Sequence, residues 1–342
     1  MITLAIETSC DETSAAVLND DKVLSNIISS QLFHSEYGGV VPEVASREHL
    51  KKITYITDEA LKKASVDLRE VDLISATNEP GLIGALLVGL NFAKSLAVTL
   101  GKPFMNVNHI EAHLYSNFLE EQKAEFPFIG LIVSGGHTLL ILVEDFFKQN
   151  VIGSTVDDAA GEAFDKTAKL LGLEYPGGVL IDKYADKGDS SFHKFPVARV
   201  KDGEFDFSFS GIKTSVLYFL KKIDFENNKN QKLLQDIAAS FREAMVRDLF
   251  EKTFAAAEKY SVKNISVSGG VSANVELRRQ FYAMKDKGYN IYFPRPVYST
   301  DNAAMIGLVA YYKYKLSKDK SCFVNSSLKQ PANPRLDWKV KS

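Results

Sequence analysis

The stretch Asn106-Val107-Asn108-His109-Ile110-Glu111-Ala112-His113 holds two of the chain's six histidines, four residues apart, with a glutamate between them. On a helix of about 3.6 residues per turn these two positions share a face, so His109 and His113 could ligate one ion. A metalloprotease helix reads H-E-x-x-H, with the glutamate directly after the first histidine and within reach of metal-bound water. Here the order is H-x-E-x-H. Glu111 lies about 200° round the helix from His109 and points away from any ion the pair would hold, which argues against a zinc protease. The competing reading is two histidines that merely share a helix face. A catalytic site usually has a third protein ligand and an open position. Asp301, in "STDNAAMIG", is the candidate, although its place at the start of a helix equally suits a cap.

Three turns that follow apolar strands could hold an anion: "ETSCDET" (7–13), "SGGHT" (134–138) and "SGGVSAN" (268–274). Glycine admits a ligand to the backbone, and successive N–H groups make a concave anion site. A helix start after the third turn adds a partial positive charge. Together they suggest a phosphate-bearing ligand, while each Gly-Gly alone reads as a plain turn. Asp165, in "GEAFDKTAKLLGLEYPGG", is either functional or a solvated helix residue. Ser134 and His137 do not make a hydrolase: Gly-x-Ser-x-Gly is absent around Ser134, and two near neighbours supply no triad.

The elements that would carry these residues alternate between strand and helix, which predicts an α/β architecture. Apolar runs at 2–6 and 14–18, and again at 129–134 and 138–143, read as two hairpins. The first leads into a helix near 47–64, a strand near 71–77, a helix near 81–99 with Gly81, Gly84 and Gly89 packed against a sheet, and a strand at 104–107. The second leads into helices at 158–171, 212–222 and 231–259, a strand at 264–268 and a last helix at 302–316. "ENNKNQK" (226–232) reads as a polar loop. The repeated opening suggests an internal duplication, with two halves sharing a cleft.

At 342 residues the chain calls for two domains, and 45% hydrophobic with 25% charged residues is a globular balance. Cys10 and Cys322 are the only cysteines, which excludes a disulfide framework or a Cys-based zinc site and suggests a reducing cytosol. The N-terminus enters a strand at once and shows no signal peptide, and the apolar run from Gly81 to Leu90 is short for a membrane span. A net charge of -2 excludes a generally basic nucleic-acid binder. Local basic patches are Lys194, Arg199, Lys201 and Lys213, then Arg278 and Arg279, then Lys329, Arg335, Lys339 and Lys341. Each is either a solvated face or a weak RNA contact.

Taken together, "IETSCDETSAAV", "YGGVVPEVASREH", "PGLIGALLVGLNFAKSLA", "NVNHIEAHLYS", "LIVSGGHTLL", "GEAFDKTAKLLGLEYPGG", "FSFSGIKT", "SVSGGVSANVELR" and "STDNAAMIG" resemble one family along almost the whole chain. It is the bacterial-type tRNA N6-adenosine threonylcarbamoyltransferase family, once labelled O-sialoglycoprotein endopeptidase. The resemblance implies two duplicated actin-like (ribonuclease H-like) α/β domains around a central nucleotide cleft. Residues 1–125 plus 301–330 would form the first lobe, 126–300 the second and 331–342 a basic tail. It implies iron or zinc held by His109, His113 and Asp301, and adenylate or ATP contacts from Ile132, Val133, Ser134, Gly135, Gly136, Asp165, Gly178, Asp182 and Asn274. The implied reaction moves a threonylcarbamoyl group from threonylcarbamoyl-AMP to N6 of adenosine 37 in the tRNA anticodon loop. The implied partners are an inactive actin-fold paralogue and a small P-loop ATPase. No residue is assigned as catalytic by the resemblance; Asp11 and Glu12 could accept the N6 proton. The alternative is a metal-dependent ATPase or sugar kinase of the same fold. Two departures from the family pattern stand out. Glu79 replaces a usual glycine and adds negative charge, and Val179 replaces a usual proline and loosens the turn holding Gly178 and Asp182.

Overall fold

The structure is a computed structural model that describes all residues except 32, 33, 35–38, 199, 201, 202, 336, 337 and 339–342. The chain forms two compact units, Met1–Lys123 with Pro294–Asp337, and Ala124–Phe293 with Trp338–Ser342.

The first unit opens with β1 (Ile2–Glu7), β2 (Glu12–Asn19) and β3 (Lys22–Ser30), each antiparallel to the one before. Then come α1 (Pro42–Ala64), β4 (Leu73–Glu79), α2 (Ile83–Leu100), β5 (Phe104–Asn108) and α3 (His109–Tyr115). β4 lies parallel to β1, and β5 parallel to β4, giving the order β3-β2-β1-β4-β5. The second unit repeats this. β6 (Phe128–Val133), β7 (Thr138–Asp145) and β8 (Lys148–Ser154) form the antiparallel half. α4 (Ala160–Leu170), α5 (Gly177–Ala185), α6 (Ser210–Lys222), α7 (Phe225–Asn228) and α8 (Gln231–Lys259) follow. β9 (Asn264–Ser268) then pairs in parallel with β6, and after α9 (Val275–Tyr282), β10 (Asn290–Tyr292) pairs in parallel with β9. The order β10-β9-β6-β7-β8 is the same topology as in the first unit. The chain returns to the first unit through α10 (Pro296–Ser299), α11 (Ala303–Leu316) and α12 (Cys322–Lys329). The duplicated α/β fold expected from the sequence is therefore present.

Each unit has its own apolar core. In the first, Leu4, Ile6, Val17, Ile74 and Phe104 of the sheet meet Ile53, Ala60, Leu90 and Ala93 of α1 and α2. In the second, Ile129, Leu131, Val133 and Val267 meet Phe164, Ile237, Phe241 and Met245. By length and composition α2 would span a bilayer, yet Ala85, Leu86, Leu90, Ala93 and Ala97 are buried in the protein. Gly89 lets α2 approach closely: a Cβ there would sit 2.3 Å from Thr8 Oγ1, which itself accepts the Gly89 N–H at 3.1 Å.

Several expectations need correction. The hairpins gain third strands, β3 and β8, whose burial is only partial and whose apolar runs are short. α1 starts at Pro42, five residues before the predicted start, because proline suits the first helical position. The stretch 226–232 is mostly helical: α7 ends at Asn228, and Asn230 caps α8 by accepting from Leu233 N at 3.0 Å. Its polarity is capping chemistry. α5 and α12 escaped the periodicity reading, both being too short for a clear pattern.

Gly269 and Gly101 both have positive φ, at +87° and +62°, but a Cβ at Gly269 would lie 2.4 Å from Val133 O while Gly101 faces open space. Gly269→Ala is expected to cost about 1–3 kcal/mol from backbone strain alone and more as β6 is pushed. Gly101→Ala should cost only about 1 kcal/mol. Urea midpoints of the two variants, compared side by side, check the ordering.

Candidate functional site

The histidine pair is positioned by the end of β5. Asn108 accepts from Ile110 N at 2.9 Å and Glu111 N at 3.0 Å, so its side chain starts α3 with His109 as the first helical residue. The two imidazole rings stand edge to face, with centroids 4.7 Å apart. Asp301 closes the set: its Oδ1 lies 3.0 Å from His113 Nε2 and 3.4 Å from His109 Nε2. One ligand atom from each of the three residues lies within 4.8 Å of the others. Asp301 is not the helix cap. Asn302 takes that role, accepting from Met305 N at 3.1 Å, which leaves the Asp301 carboxylate to the histidines. Glu111 turns to α11, where it pairs with Lys313.

The electrostatics suit a cation. Burial alone would depress His109, but the carboxylates of Asp301 and Glu7 outweigh it and hold the imidazole well above its ordinary value. Burial would raise Asp301, and His109 and His113 instead hold it well below the carboxylate range. His113 is pulled down by burial. The group thus draws a proton onto His109, which is the pull a divalent ion would feel. Two imidazole nitrogens and one carboxylate oxygen are ligands that zinc and iron both accept.

Sequence reasoning missed the groups that support this set. Glu7, at the end of β1, lies 3.1 Å from His109 Nδ1, and Ser9 Oγ lies 3.2 Å from the same nitrogen. With Nδ1–H held by a carboxylate, Nε2 is left to face the ion. Glu7 also accepts from Ser9 N and Thr77 Oγ1. Burial works against its charge, but His109 wins and keeps its pKa low. The first turn is therefore a buried carboxylate mount and not an open anion cradle. His49 of the "SREH" stretch props it, with Nδ1 2.8 Å from Thr13 Oγ1 and Nε2 2.9 Å from Cys10 O. Gly81 lies against it too, since a Cβ there would meet Ser9 O at 2.5 Å. The only available signal was the family motif, because a glutamate and a serine in a turn carry no spacing rule. Glu12, at the start of β2, is pushed up to about 9 by burial and then by the negative charge of Asp301 and Asp11. Glu79 accepts from Asn108 and Asn333, both at 3.3 Å, so its added charge has local partners.

The second unit gathers the other predicted residues at the C-terminal ends of β6 and β9. Ile132 and Val133 are buried in β6. The turn that follows is closed by Ser134 N donating to His137 O at 2.8 Å, while Gly135 and Gly136 face open space. Gly161 at the start of α4 lies beneath it, its N–H on Ser134 O at 3.1 Å. Asp165 accepts from Gly177 N at 2.8 Å and Gly178 N at 3.2 Å, and so fixes the start of α5. The turn is therefore held despite Val179, which points outward and is 67% exposed. Burial raises the Asp165 carboxyl against those two hydrogen bonds. Asp182 of α5 and Asn274 meet directly, Asn274 Nδ2 donating to Asp182 Oδ1 at 2.8 Å.

Three of the predicted basic residues have partners within the chain. Lys213 pairs with Asp158 at 3.0 Å and Arg279 with Glu276 at 2.6 Å, and Arg278 lies over the Phe293 ring. Arg199, Lys201, Lys339 and Lys341 lie outside the described residues, as does half of the predicted tail.

Residues 22–308 match the family TsaD, tRNA N6-adenosine threonylcarbamoyltransferase. A relative of that name from Chloroherpeton thalassium is 53% identical over 94% of this chain and 95% of its own. Another, from Kosmotoga olearia, is 51% identical over 92% of this chain and 94% of its own. Among solved structures, full-length HypF in a phosphate- and nucleotide-bound form superposes with a TM-score of 0.61 at 14% identity. That match covers 93% of this chain and 56% of HypF, and supports the actin-like fold alone. With the fold, the His109–His113–Asp301 group and relatives matching nearly end to end, the chain belongs to the tRNA N6-adenosine threonylcarbamoyltransferase family.

Proposed function

We propose that this chain transfers the threonylcarbamoyl group from threonylcarbamoyl-AMP to N6 of adenosine 37 in tRNAs reading codons that start with A, releasing AMP. The observation that carries the reading is the convergence of His109, His113 and Asp301 in a chain of this family. A kinase or ATPase of the same fold is not favoured, because the relatives that match along the chain are named for the transfer.

His109 Nε2, His113 Nε2 and Asp301 would hold one divalent ion, iron or zinc, with His109 oriented through Glu7. Bound there, such an ion supplies Lewis-acid polarisation of carbonyl and phosphate oxygens. The N–H groups of Gly135 and Gly136, in a turn where a Cβ would meet open space, would bind the phosphate of the adenylate, and Ile132 to Ser134 would lie along it. Asp165, through Gly178, and the Asp182–Asn274 pair would fix the rest of the nucleotide. The N6 amine of a splayed-out anticodon-loop base attacks the carbamoyl carbon, the C–N bond forms, the C–O bond to phosphate breaks and AMP departs. The N6 proton passes to Asp11, because Glu12, pushed up to about 9, already holds its own proton at neutral pH. ATP is the other ligand this turn would accept. The expected partners are tRNA, an inactive actin-fold paralogue and a small P-loop ATPase, and the expected compartment is the cytoplasm.

Purified chain, metal, the two partner proteins, threonylcarbamoyl-AMP and unmodified tRNA should yield threonylcarbamoyladenosine by nucleoside mass spectrometry; no modified adenosine from competent components sinks the proposal. His109→Ala with His113→Ala should lower bound metal by more than about tenfold, measured by elemental analysis, and abolish transfer. Asp11→Ala should slow single-turnover transfer by about 10²–10⁴-fold. A full transfer rate in that variant would exclude Asp11 as the proton acceptor.

A further inference from the structure

α8 carries a buried cation that the proposed chemistry does not use. Arg242 is 8% exposed, and its Nη1 donates to Asp182 Oδ1 at 2.6 Å, to Asp182 O at 3.2 Å and to Asp186 Oδ1 at 2.6 Å. Asp182 in α5 and Asp186 at its C-terminal cap are one turn apart, where like charges repel. The guanidinium offsets that repulsion, its Nη1 reaching both carboxylates at once. The Asp182 carboxylate is then pinned from two further directions, by Asn274 Nδ2 on Oδ1 at 2.8 Å and by Val275 N on Oδ2 at 3.1 Å. Asn274 is itself fixed, its Oδ1 accepting from Leu277 N at 2.9 Å. Among the described residues this leaves one acceptor position on Asp182 Oδ2 and one N–H on Asn274, side by side and immobilised.

We propose that Arg242 is a positioning residue: it locks the Asp182 carboxylate onto Asn274, so that this acceptor and donor stand ready for the hydroxyl and amine groups of an adenylate. The assignment rests on the reading above that Asp182 and Asn274 contact the adenylate. Loss of the guanidinium leaves two carboxylates repelling each other across one helical turn, and Asp182 rotates toward water.

The test uses the full chain, alone for AMP binding by calorimetry and with its partner proteins and metal for turnover. Arg242→Met should weaken AMP binding and raise KM for threonylcarbamoyl-AMP by about tenfold, the cost of one charge-assisted hydrogen bond. Bound metal and the single-turnover rate at saturating adenylate should stay within about twofold of the parent, a split that general destabilisation would not give. Arg242→Lys keeps the charge on a shorter side chain without the planar guanidinium and should bind AMP about threefold more weakly than the parent. Should Arg242→Met not fold, the lysine variant decides. Asp182→Ala is the control for the adenylate reading and should weaken AMP binding more than about tenfold. Parent-like AMP binding in both Arg242 variants, with weak binding in Asp182→Ala, overturns the positioning role alone. Parent-like binding in Asp182→Ala removes the adenylate from this patch, and the proposal falls with it.

Discussion

The carboxylate of Glu7 is nearly free of solvent, its side chain 1% exposed, and a charge so placed is costly unless its lone pairs are met. Three elements meet them: Ser9 N in the turn after β1, Thr77 Oγ1 on β4 and His109 Nδ1 on α3. The requirement works in both directions. Glu7 needs a cationic partner, and His109 needs its Nδ1 committed if Nε2 is to face Asp301. Neighbouring packing can be understood as protecting that arrangement. Gly81 and Gly89 bring α2 down onto Ser9 and Thr8, and His49 of α1 braces the turn from the other side. A carboxylate that had to be dry thus explains why small residues and a buried histidine cluster around a turn with no glycine of its own.

The duplicated topology places different chemistry at matching positions. In both units the parallel strands end together, where an α/β sheet ordinarily binds its ligand. In the first unit those ends bear Glu7, Glu79 and Asn108, followed by the histidine helix. In the second they bear a glycine turn and Gly269, with Asp182 and Asn274 alongside. One fold serves twice, once with acidic and imidazole groups that favour a cation and once with a glycine turn in place of those charges.

Much of this was readable from residues alone because it rests on short-range rules. The i, i+4 spacing of His109 and His113 fixes their common face, and the placement of Glu111 fixes its exclusion, now seen in its pairing with Lys313. Strands β1, β4, β6 and β9 are buried on both faces, and each carries enough apolar residues to read as a strand, β6 as an unbroken run of them with one glycine. The half-exposed β3 and β8 lack that signature, and α5 opens on two glycines, which weaken a helical pattern. Long-range hydrogen bonds were not legible at all. Nothing local links Glu7 to His109, 102 residues apart, or Asn274 to Asp182, 92 residues apart.

The junction between residues 301 and 302 sets adjacent aspartate and asparagine to separate tasks, one facing the histidines and one starting α11. The two side chains have nearly the same shape, and substitution scores treat an exchange between them as mild. Here the exchange would harm each position for a different reason. An aspartate at 302 would keep the acceptor for Met305 N but lose the Nδ2 donation to Thr300 O at 2.8 Å, leaving a carboxylate against a carbonyl in a fully buried place. An asparagine at 301 would take the negative charge away from two imidazoles and offer an amide in its place. Variants at these neighbouring positions therefore call for different interpretations, a lost charge at one and a lost donor at the other, and a similarity matrix applied across the pair would miss both.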